Sequence, residues 1–221
     1  MAPLSPIPRS MPYTYATWIS KAMAGECTCL YAPWFKSHYK VQSRQDANLD
    51  AWTAEHTAML HDTAAEFRAR GYKVYLEGQN TMRIQGQGGA ILGAKPDLVA
   101  VKGDTAVIVD CKTGKPRTSD SLQVRLYMYL LGAWSTHPAQ RCRRILGEVR
   151  YYPGKGETLK LPHAAADGVA DLLKGYMQVF LSPTPPEATP SFNECRFCEL
   201  AGSVCLDTVT EEPEPVAVGW F

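Results

Sequence analysis

The sequence lacks a strong charge of either sign and any long hydrophobic run. Its 221 residues carry a formal net charge of +1, which removes the simplest argument for a nucleic-acid-binding protein, a strongly basic composition. No stretch approaches the roughly 18 consecutive apolar residues of a membrane span. Residues 1–10 contain three prolines and lack the apolar core of a signal peptide. We therefore expect an intracellular, cytoplasmic protein without a membrane segment.

The composition is that of a folded domain. Apolar residues make up 45% of the chain and charged residues 20%, which excludes wholly disordered, collagen-like and coiled-coil proteins. A chain of this length can bury a hydrophobic core without disulfides. The proline-rich residues 182–190 are predicted to be a linker, and residues 211–221 a flexible acidic, proline-containing tail. We expect residues 1–210 to form one domain.

Hydrophobic periodicity predicts helices and strands in alternation. Three- and four-residue spacing of apolar residues predicts a helix over residues 46–70, and similar patterns predict helices over 118–134 and 164–181. Apolar and alternating runs predict strands over residues 72–77, 80–85, 96–102, 105–112, 144–152 and 157–161. This order predicts an α/β domain with a central mixed sheet flanked by helices.

Two aspartates are expected to lie opposite each other in one β-hairpin. Gly103-Asp104 is a two-residue turn sequence in which glycine supplies the positive φ of the first central position. Paired residue numbers then sum to a constant, so Asp97 faces Asp110 with β-carbons about 5 Å apart. Carboxylates this close raise each other's pKa unless a cation such as Mg²⁺ lies between them. Since Lys112 follows on the same face, the hairpin could hold a metal, activate water and neutralise a phosphate.

The alternative interpretation is that both acids are exposed strand ends, with Lys112 in a salt bridge to one of them. Two features argue against it. The uninterrupted apolar run over residues 107–109 predicts a central strand, whose end would point into a site. Thr113-Gly114 follows the strand at once, and a turn there would open the strand end to a ligand.

The residues around this hairpin resemble a known nuclease family. The Pro-Asp pair at Asp97, the Asp-Cys-Lys sequence at Asp110 and Gln123-x-x-x-Tyr127 are similar to the PD-(D/E)XK nuclease pattern, and the last motif to its RecB-like branch. Gln123 and Tyr127 share a helix face, as that motif requires. The resemblance covers roughly residues 56–129 and implies a restriction-endonuclease-like core that hydrolyses phosphodiester bonds in DNA.

The resemblance also implies a site for Mg²⁺ or Mn²⁺. The implied ligands are His56, Asp97, Asp110 and the backbone carbonyl of Cys111. The family places a histidine on the helix before the first strand, and His56 fits that position better than His61, although both are available. Glu77, at the end of a predicted strand, is a reserve ligand.

Further residues are assigned roles in catalysis by the same resemblance. Lys112 is similar to the lysine that orients the attacking water or stabilises charge on the phosphate. Gln123 and Tyr127 would contact the nucleic-acid strand or support the lysine. Apart from the resemblance, basic residues flank the predicted site at Lys112, Lys115 and Arg117, and a further group lies at Arg141, Arg143 and Arg144. These residues could contact phosphates, although charge runs are more often solvated faces than binding patches. The implied catalytic residues are Asp97, Asp110, Lys112, Gln123 and Tyr127.

Three of the seven cysteines lie close together near the C-terminus, which predicts a metal site. Cys195, Cys198 and Cys205 form a C-x₂-C-x₆-C pattern, and in a reducing compartment such a group is typical of a site that needs a fourth ligand. Cys27 and Cys29 are both available as that ligand. By spacing alone, Zn²⁺ and a 4Fe–4S cluster fit equally well.

The resemblance to the RecB-like branch favours the cluster. Cys29 and the aromatic residues after it are similar to the single N-terminal cysteine of iron–sulfur members, the CRISPR-associated Cas-four nucleases and AddB-type subunits. In those proteins one N-terminal and three C-terminal cysteines hold a 4Fe–4S cluster. We therefore expect residues 29–35 and 191–206 to form a cysteine-rich lobe from both termini. Cys111 and Cys142 would be bystanders.

Together these patterns predict a metal-dependent deoxyribonuclease, an exonuclease directed to single strands or free ends and stabilised by a 4Fe–4S cluster. The alternative is a non-catalytic DNA-binding or assembly module with a structural iron–sulfur or zinc site. The resemblance further implies a possible protein partner, such as a CRISPR integrase, a helicase or a phage recombination protein.

Overall fold

The structure is a computed structural model that describes residues 6–41, 49–132 and 136–214. In chain order the elements are β1 (Ile7–Pro8), β2 (Tyr13–Tyr15), α1 (Ala16–Met23), α2 (Tyr31–His38), β3 (Tyr39–Lys40), α3 (Leu49–Ala69), β4 (Lys73–Leu76), β5 (Met82–Gln85), β6 (Ile91–Ala94), β7 (Leu98–Lys102), β8 (Thr105–Lys112), α4 (Thr118–Leu131), β9 (Arg144–Tyr151), β10 (Leu159–Leu161), α5 (Val169–Phe180) and α6 (Phe192–Cys195). Short 3₁₀ helices lie at Glu77–Asn80, Pro138–Arg141 and His163–Ala166.

A five-stranded mixed sheet with the order β10-β9-β8-β7-β4 forms the centre of the fold. The middle strand, β8, is antiparallel to β7 and parallel to β9, and the two outer pairs are antiparallel. All of residues 106–111 in β8 are buried, because a continuous apolar run suits a strand that is covered on both faces. The predicted mixed α/β architecture is therefore correct and consistent with a restriction-endonuclease-like core.

Helices cover the two faces of this sheet. On one face α4, α1 and α5 pack over a core that includes Val99 and Ile108. On the other face α3 packs through Phe67 against Leu98 and Val109. Neighbouring strand residues thus alternate between two separate cores, as the pleat requires. None of the helices within the described residues is long and apolar enough to cross a membrane.

A second, smaller sheet stands beside the first and has the order β2-β6-β5. β2 runs parallel to β6, with Tyr13 opposite Ile91 and Tyr15 opposite Gly93. β5 and β6 are antiparallel. This sheet ties the N-terminal segment to residues in the middle of the chain.

The β7–β8 hairpin has the predicted register. Gly103 has a φ of +57°, and the pairs run from Lys102 opposite Thr105 to Leu98 opposite Val109. Asp97 directly precedes β7, so the same register continued by one residue places it opposite Asp110.

The sequence patterns correctly predict all five strands of the central sheet, and β8 has the predicted bounds. They miss the remaining short elements, which are β1, β2, β3, β6, α1, α2 and α6. The helix predicted over residues 164–181 begins only at Val169, because Gly168, with φ at +75°, is not helical. Three predicted segments lie outside the described residues: 46–48, 133–134 and 215–221.

Close packing of α4 on the sheet depends on a glycine in β9. A β-carbon at Gly147 would lie 2.5 Å from Cγ1 of Val124 and 2.8 Å from Sδ of Met128. Because Val124 is β-branched and stiff, it could not move aside without a shift of the helix. Gly147 therefore sets how closely α4, which carries Gln123, approaches the sheet.

We expect Gly147→Ala to lower the free energy of unfolding by about 1–3 kcal/mol, the usual cost of overpacking a core. The matched control is Gly175→Ala in α5, where a β-carbon meets nothing within 4 Å and alanine should stabilise the helix by about 0.5–1 kcal/mol. Urea denaturation of both variants measures the difference. Equal stability of the two variants would show that α4 does not depend on Gly147.

Candidate active site

A cleft of about 1110 Å³ opens where the β7–β8 hairpin meets the N-terminal end of α4. The residues predicted for catalysis or for binding the divalent ion all line it: His56, Asp97, Asp110, Cys111, Lys112, Gln123 and Tyr127. Glu77 also lines the cleft and lies 3.6 Å from the ammonium of Lys95. His61, the alternative histidine, is exposed and is not part of the lining.

Asp97 is held by contacts from a helix and from the neighbouring strand. Nε2 of His56 lies 3.2 Å from Oδ2 of Asp97, and the backbone N–H of Cys111 donates to the same oxygen at 2.7 Å. The hydrogen bond with Asp97 raises the pKa of His56 and outweighs burial, which lowers it. The side chain of Cys111 points away from the cleft, into the core under α3, where Sγ lies 4.0 Å from Oγ1 of Thr63.

Asp110, Lys112 and Gln123 form a closed triangle of contacts. Nζ of Lys112 lies 2.7 Å from Oδ2 of Asp110 and donates to Oε1 of Gln123 at 3.1 Å. Nε2 of Gln123 donates to the other carboxylate oxygen of Asp110 at 3.1 Å. The triangle holds the lysine ammonium at the floor of the cleft, between a charged and a neutral acceptor.

Asp110 is only 2% exposed. Burial and then the nearby Asp97 raise the pKa of Asp110, while Lys112 lowers it. Its Oδ2 atom is buried and, apart from the ion pair with Lys112, has no hydrogen bond of good geometry. A buried carboxylate oxygen in this state is suited to a second cation.

Behind the triangle, α4 supplies a supporting contact from Tyr127, one helical turn after Gln123. The hydroxyl of Tyr127 accepts a hydrogen bond of 2.8 Å from Nε2 of Gln123, and Tyr127 is 2% exposed. Burial, followed by the charge of Asp110, raises the pKa of Tyr127 well above its usual range. Gln123 therefore contacts both Lys112 and Asp110, and Tyr127 contacts Gln123. The roles expected of the two residues stay predictions.

Asp120 is a site residue that the sequence analysis missed. Its Oδ1 lies 3.8 Å from Nζ of Lys112, and its Oδ2 accepts from the hydroxyl of Tyr151 at 3.1 Å and from the backbone N–H of Arg117 at 2.9 Å. The sequence signal that could have identified Asp120 is its position three residues before Gln123, which places the two residues on the same helix face.

The N-terminal wall of the cleft was also missed. Tyr13 and Tyr15 from β2, and Lys21 from α1, line the cleft. The alternation Tyr-Thr-Tyr followed by a helical pattern was a weak signal for a strand leading into a helix. A three-residue strand has too few residues for that pattern to be decisive.

A second cleft, of about 660 Å³, is lined by five cysteines: Cys27, Cys29, Cys195, Cys198 and Cys205. Glu194 joins the two segments that carry them. Its Oε1 accepts from the backbone N–H of Thr28 at 2.7 Å, and its Oε2 accepts from the Thr28 hydroxyl at 2.6 Å. The hydroxyl of Thr189 donates to the carbonyl of Thr28 at 3.1 Å.

Neither cleft contains a preformed metal-binding group. Within residues 6–41, 49–132 and 136–214, no three histidine, cysteine, aspartate or glutamate side chains are grouped closely enough to hold an ion. The donor types nevertheless fit: carboxylates with a buried oxygen that lacks a hydrogen bond for a hard divalent ion, and thiols for zinc or iron.

Comparison with protein families decides the identity of the fold. The model of the PD-(D/E)XK nuclease superfamily matches residues 17–205. The chain belongs to this superfamily. Membership in the superfamily implies nuclease activity. PD-(D/E)XK nucleases typically use Mg²⁺ or Mn²⁺ and act on DNA.

Comparison with solved structures agrees at the level of the fold. Fourteen chains match, and one of them, titled "Crystal structure of SSO0001", superimposes with a TM-score of 0.52 at 11% identity, covering 91% of this chain and 90% of that one. At this identity the likeness shows a shared fold alone. The comparison with curated proteins gave no match.

If the carboxylate pair binds a divalent ion, Mn²⁺ should raise the melting temperature of the protein. An ion at a hundredfold excess over its Kd adds about 2.7 kcal/mol to the free energy of unfolding. Asp97→Asn and Asp110→Asn should each abolish the shift, as measured by differential scanning fluorimetry with and without Mn²⁺. Asp104→Asn, at an exposed turn aspartate beside Arg143, should keep it; an equal shift in all variants would place the ion elsewhere.

Proposed function

We propose that this PD-(D/E)XK protein is a metal-dependent deoxyribonuclease of the RecB-like branch, an exonuclease that acts on single strands or free ends. The observation that carries the proposal is the triangle of Asp110, Lys112 and Gln123 beside Asp97 in one cleft. Purely structural residues would not require two acids and a lysine at the buried end of a central strand.

Four groups would hold Mg²⁺ or Mn²⁺: the side chains of His56, Asp97 and Asp110 and the backbone carbonyl of Cys111. When bound, the ion supplies positive charge that makes water a stronger nucleophile at neutral pH and stabilises charge on the phosphate. His56 orients Asp97 from the helix side, and the Cys111 N–H orients it from the strand side. The acid therefore enters the reaction already positioned.

Lys112 would act directly on the scissile phosphate. Its side chain is one-quarter exposed to the cleft, while Asp110 and Gln123 hold its ammonium from below. The ion pair with Asp110 favours the protonated form, so Lys112 stabilises the negative charge that develops on phosphate oxygens and orients the attacking water. Tyr127 limits the movement of Gln123 and hence of the lysine.

Loss of either group should reduce cleavage strongly. We expect Asp110→Asn and Lys112→Met each to lower the rate of Mn²⁺-dependent cleavage of labelled DNA by at least about a hundredfold, the usual effect of removing one electrostatic or acid–base group. Asp104→Asn and Lys174→Met, at exposed positions outside the cleft, should cleave at the wild-type rate. Cleavage that survives Asp110→Asn would overturn the enzymatic assignment.

We further propose that a 4Fe–4S cluster, or alternatively Zn²⁺, is bound by Cys29, Cys195, Cys198 and Cys205 in a lobe formed by residues 29–35 and 191–206. The shared cleft supports this proposal. Cys29 is favoured over Cys27 because the thiol of Cys27 is directed at the carbonyl of Cys29, 3.5 Å away.

Protein purified without oxygen should contain about four iron and four sulfide per chain. Cys198→Ser and Cys29→Ser should lose them, together with stability and solubility, before chemistry is affected, whereas Cys27→Ser and Cys142→Ser should keep them. Elemental analysis and circular dichroism measure both effects. Zinc without iron would overturn the cluster and leave the nuclease standing, and a normally folded Cys198→Ser variant would contradict a stabilising role.

The alternative function is a non-catalytic DNA-binding or assembly module with a structural iron–sulfur or zinc site. One observation favours it: Lys112 already neutralises Asp110, so the acids are partly compensated without an ion. This alternative predicts DNA binding without cleavage at any Mn²⁺ concentration. A protein partner, such as a CRISPR integrase, a helicase or a phage recombination protein, and the intracellular location stay predictions.

A further inference from the structure

A row of three aromatic rings connects the two clefts, since Tyr13 and Tyr15 line the catalytic cleft and Trp18 lines the cysteine cleft. The ring centroids of Tyr13 and Tyr15, and those of Tyr15 and Trp18, are each 4.8 Å apart. Tyr15, in the middle, is 39% exposed, while its two neighbours are half-buried. The row therefore presents one ring to solvent and uses the other two to support it.

The exposure of Tyr15 is built into the fold. Thr14 is fully buried, so strand alternation turns Tyr13 and Tyr15 to the opposite face of β2. That strand is paired with β6 at Gly93, where a β-carbon would lie 2.5 Å from the hydroxyl of Tyr13. Buried Ala16 then starts α1. The ring of Tyr15 is thus fixed outward by residues on both sides.

Positive charges lie on both sides of Tyr15. The guanidinium groups of Arg9 and Arg83 lie over the ring of Tyr13, at 5.8 and 5.6 Å from its centroid. On the other side, Nζ of Lys36 lies 5.0 Å from the centroid of the Trp18 ring. Aromatic rings interleaved with cations are the usual surface for single-stranded nucleic acid.

Two further cations connect the catalytic cleft with the cysteine cleft, since Lys21 and Arg117 line both. Neither forms a salt bridge with any residue that the structure describes. Glu26 is close to Lys21, but its two carboxylate oxygens already accept from the backbone N–H and hydroxyl of Ser119, at 2.9 and 2.7 Å. Partial burial, then Arg117, Lys36 and Lys112, lower the pKa of Lys21, as expected where cations crowd without enough anions.

We propose that this surface is a binding groove for a single strand of DNA, with a base stacked on Tyr15 and phosphates bound by the cations on either side, leading from the cysteine cleft into the catalytic cleft. The inference rests on the proposed nuclease function, because the groove delivers the strand to the carboxylate pair. A base in a duplex is stacked on its neighbours and does not offer a free face to Tyr15. The groove therefore selects unpaired strands.

Fluorescence anisotropy with labelled oligothymidylate, in EDTA so that no cleavage occurs, tests the stacking residue in the full chain. We expect Tyr15→Ala to raise Kd roughly tenfold, the effect of losing one base–aromatic stack, and Tyr15→Phe, which keeps the ring, to bind as the wild type does. The matched control is Tyr129→Ala, because Tyr129 is 43% exposed on α4 and lies outside both clefts. Binding of a labelled duplex should not change in Tyr15→Ala.

The cations are tested separately, by the dependence of binding on salt. The double variant Lys21→Ala/Arg117→Ala should lower the slope of log K against log salt concentration by about 1.4, since each contact with a single strand contributes roughly 0.7. Lys174→Ala should leave the slope unchanged. This measurement decides the question even if Tyr15→Ala fails to fold.

The outcomes separate the groove from the nuclease. Three results would each overturn the groove: equal Kd values for Tyr15→Ala and Tyr129→Ala, an equal loss of affinity for duplex and single strand, or an unchanged salt slope in the double variant. If the wild-type protein still cleaves DNA, the nuclease assignment is unaffected by these results. Binding that depends on Tyr15 in a chain that cleaves nothing would retain the groove and overturn the nuclease.

Discussion

The candidate site depends on one constraint, the register of the β7–β8 hairpin, which places Asp97 beside the buried Asp110. Two carboxylates in this position repel each other, and their neighbours offset the repulsion: His56 contacts one and Lys112 the other. Removing a carboxylate from water still costs folding free energy that a well-packed apolar pair would not. The concentrated negative charge of the site therefore lowers the stability of the fold. In addition, α4 must pack closely against Gly147 so that Gln123 and Tyr127 reach the carboxylates and the lysine.

The hairpin could be predicted from the sequence because its determinants are local. The turn at Gly103 sets the register, and alternation then puts Asp110 and Lys112 on one face. The determinants of the N-terminal wall are not local, since β2 has three residues and Tyr13 pairs with Ile91 far along the chain. A strand this short contains no pattern that specifies so distant a partner. The part of the cleft formed by the hairpin and its aspartates was therefore predictable from the sequence, and the N-terminal wall with Tyr13 and Tyr15 was not.

The approach of the two cysteine-bearing segments has a similar explanation. Spacing predicts the sulfur donors, but the contact that joins the segments is made by Glu194, which binds Thr28 across 166 positions of the sequence. Burial raises the pKa of Glu194, and hydrogen bonds from Thr28, Cys29 and Ser191 outweigh burial and hold the pKa below its usual value. The two segments are thus joined by hydrogen bonds to a carboxylate, and a bound cluster would strengthen a contact that already exists.

The near-zero net charge is compatible with DNA binding because acidic and basic side chains lie in different places. The acids of the candidate site are buried or hydrogen-bonded in the cleft. Lys21 and Arg117, neither of which forms a salt bridge with a described residue, line both clefts. Because salt screens exposed charges beyond roughly 10 Å, a DNA strand in the proposed groove would interact with the nearby cations and hardly with the net charge of the whole protein. So few phosphate contacts give only weak attraction, and stacking on Tyr15 has to supply the remaining affinity. In the proposed groove, DNA would be bound through its exposed bases, which favours an unpaired strand as the ligand.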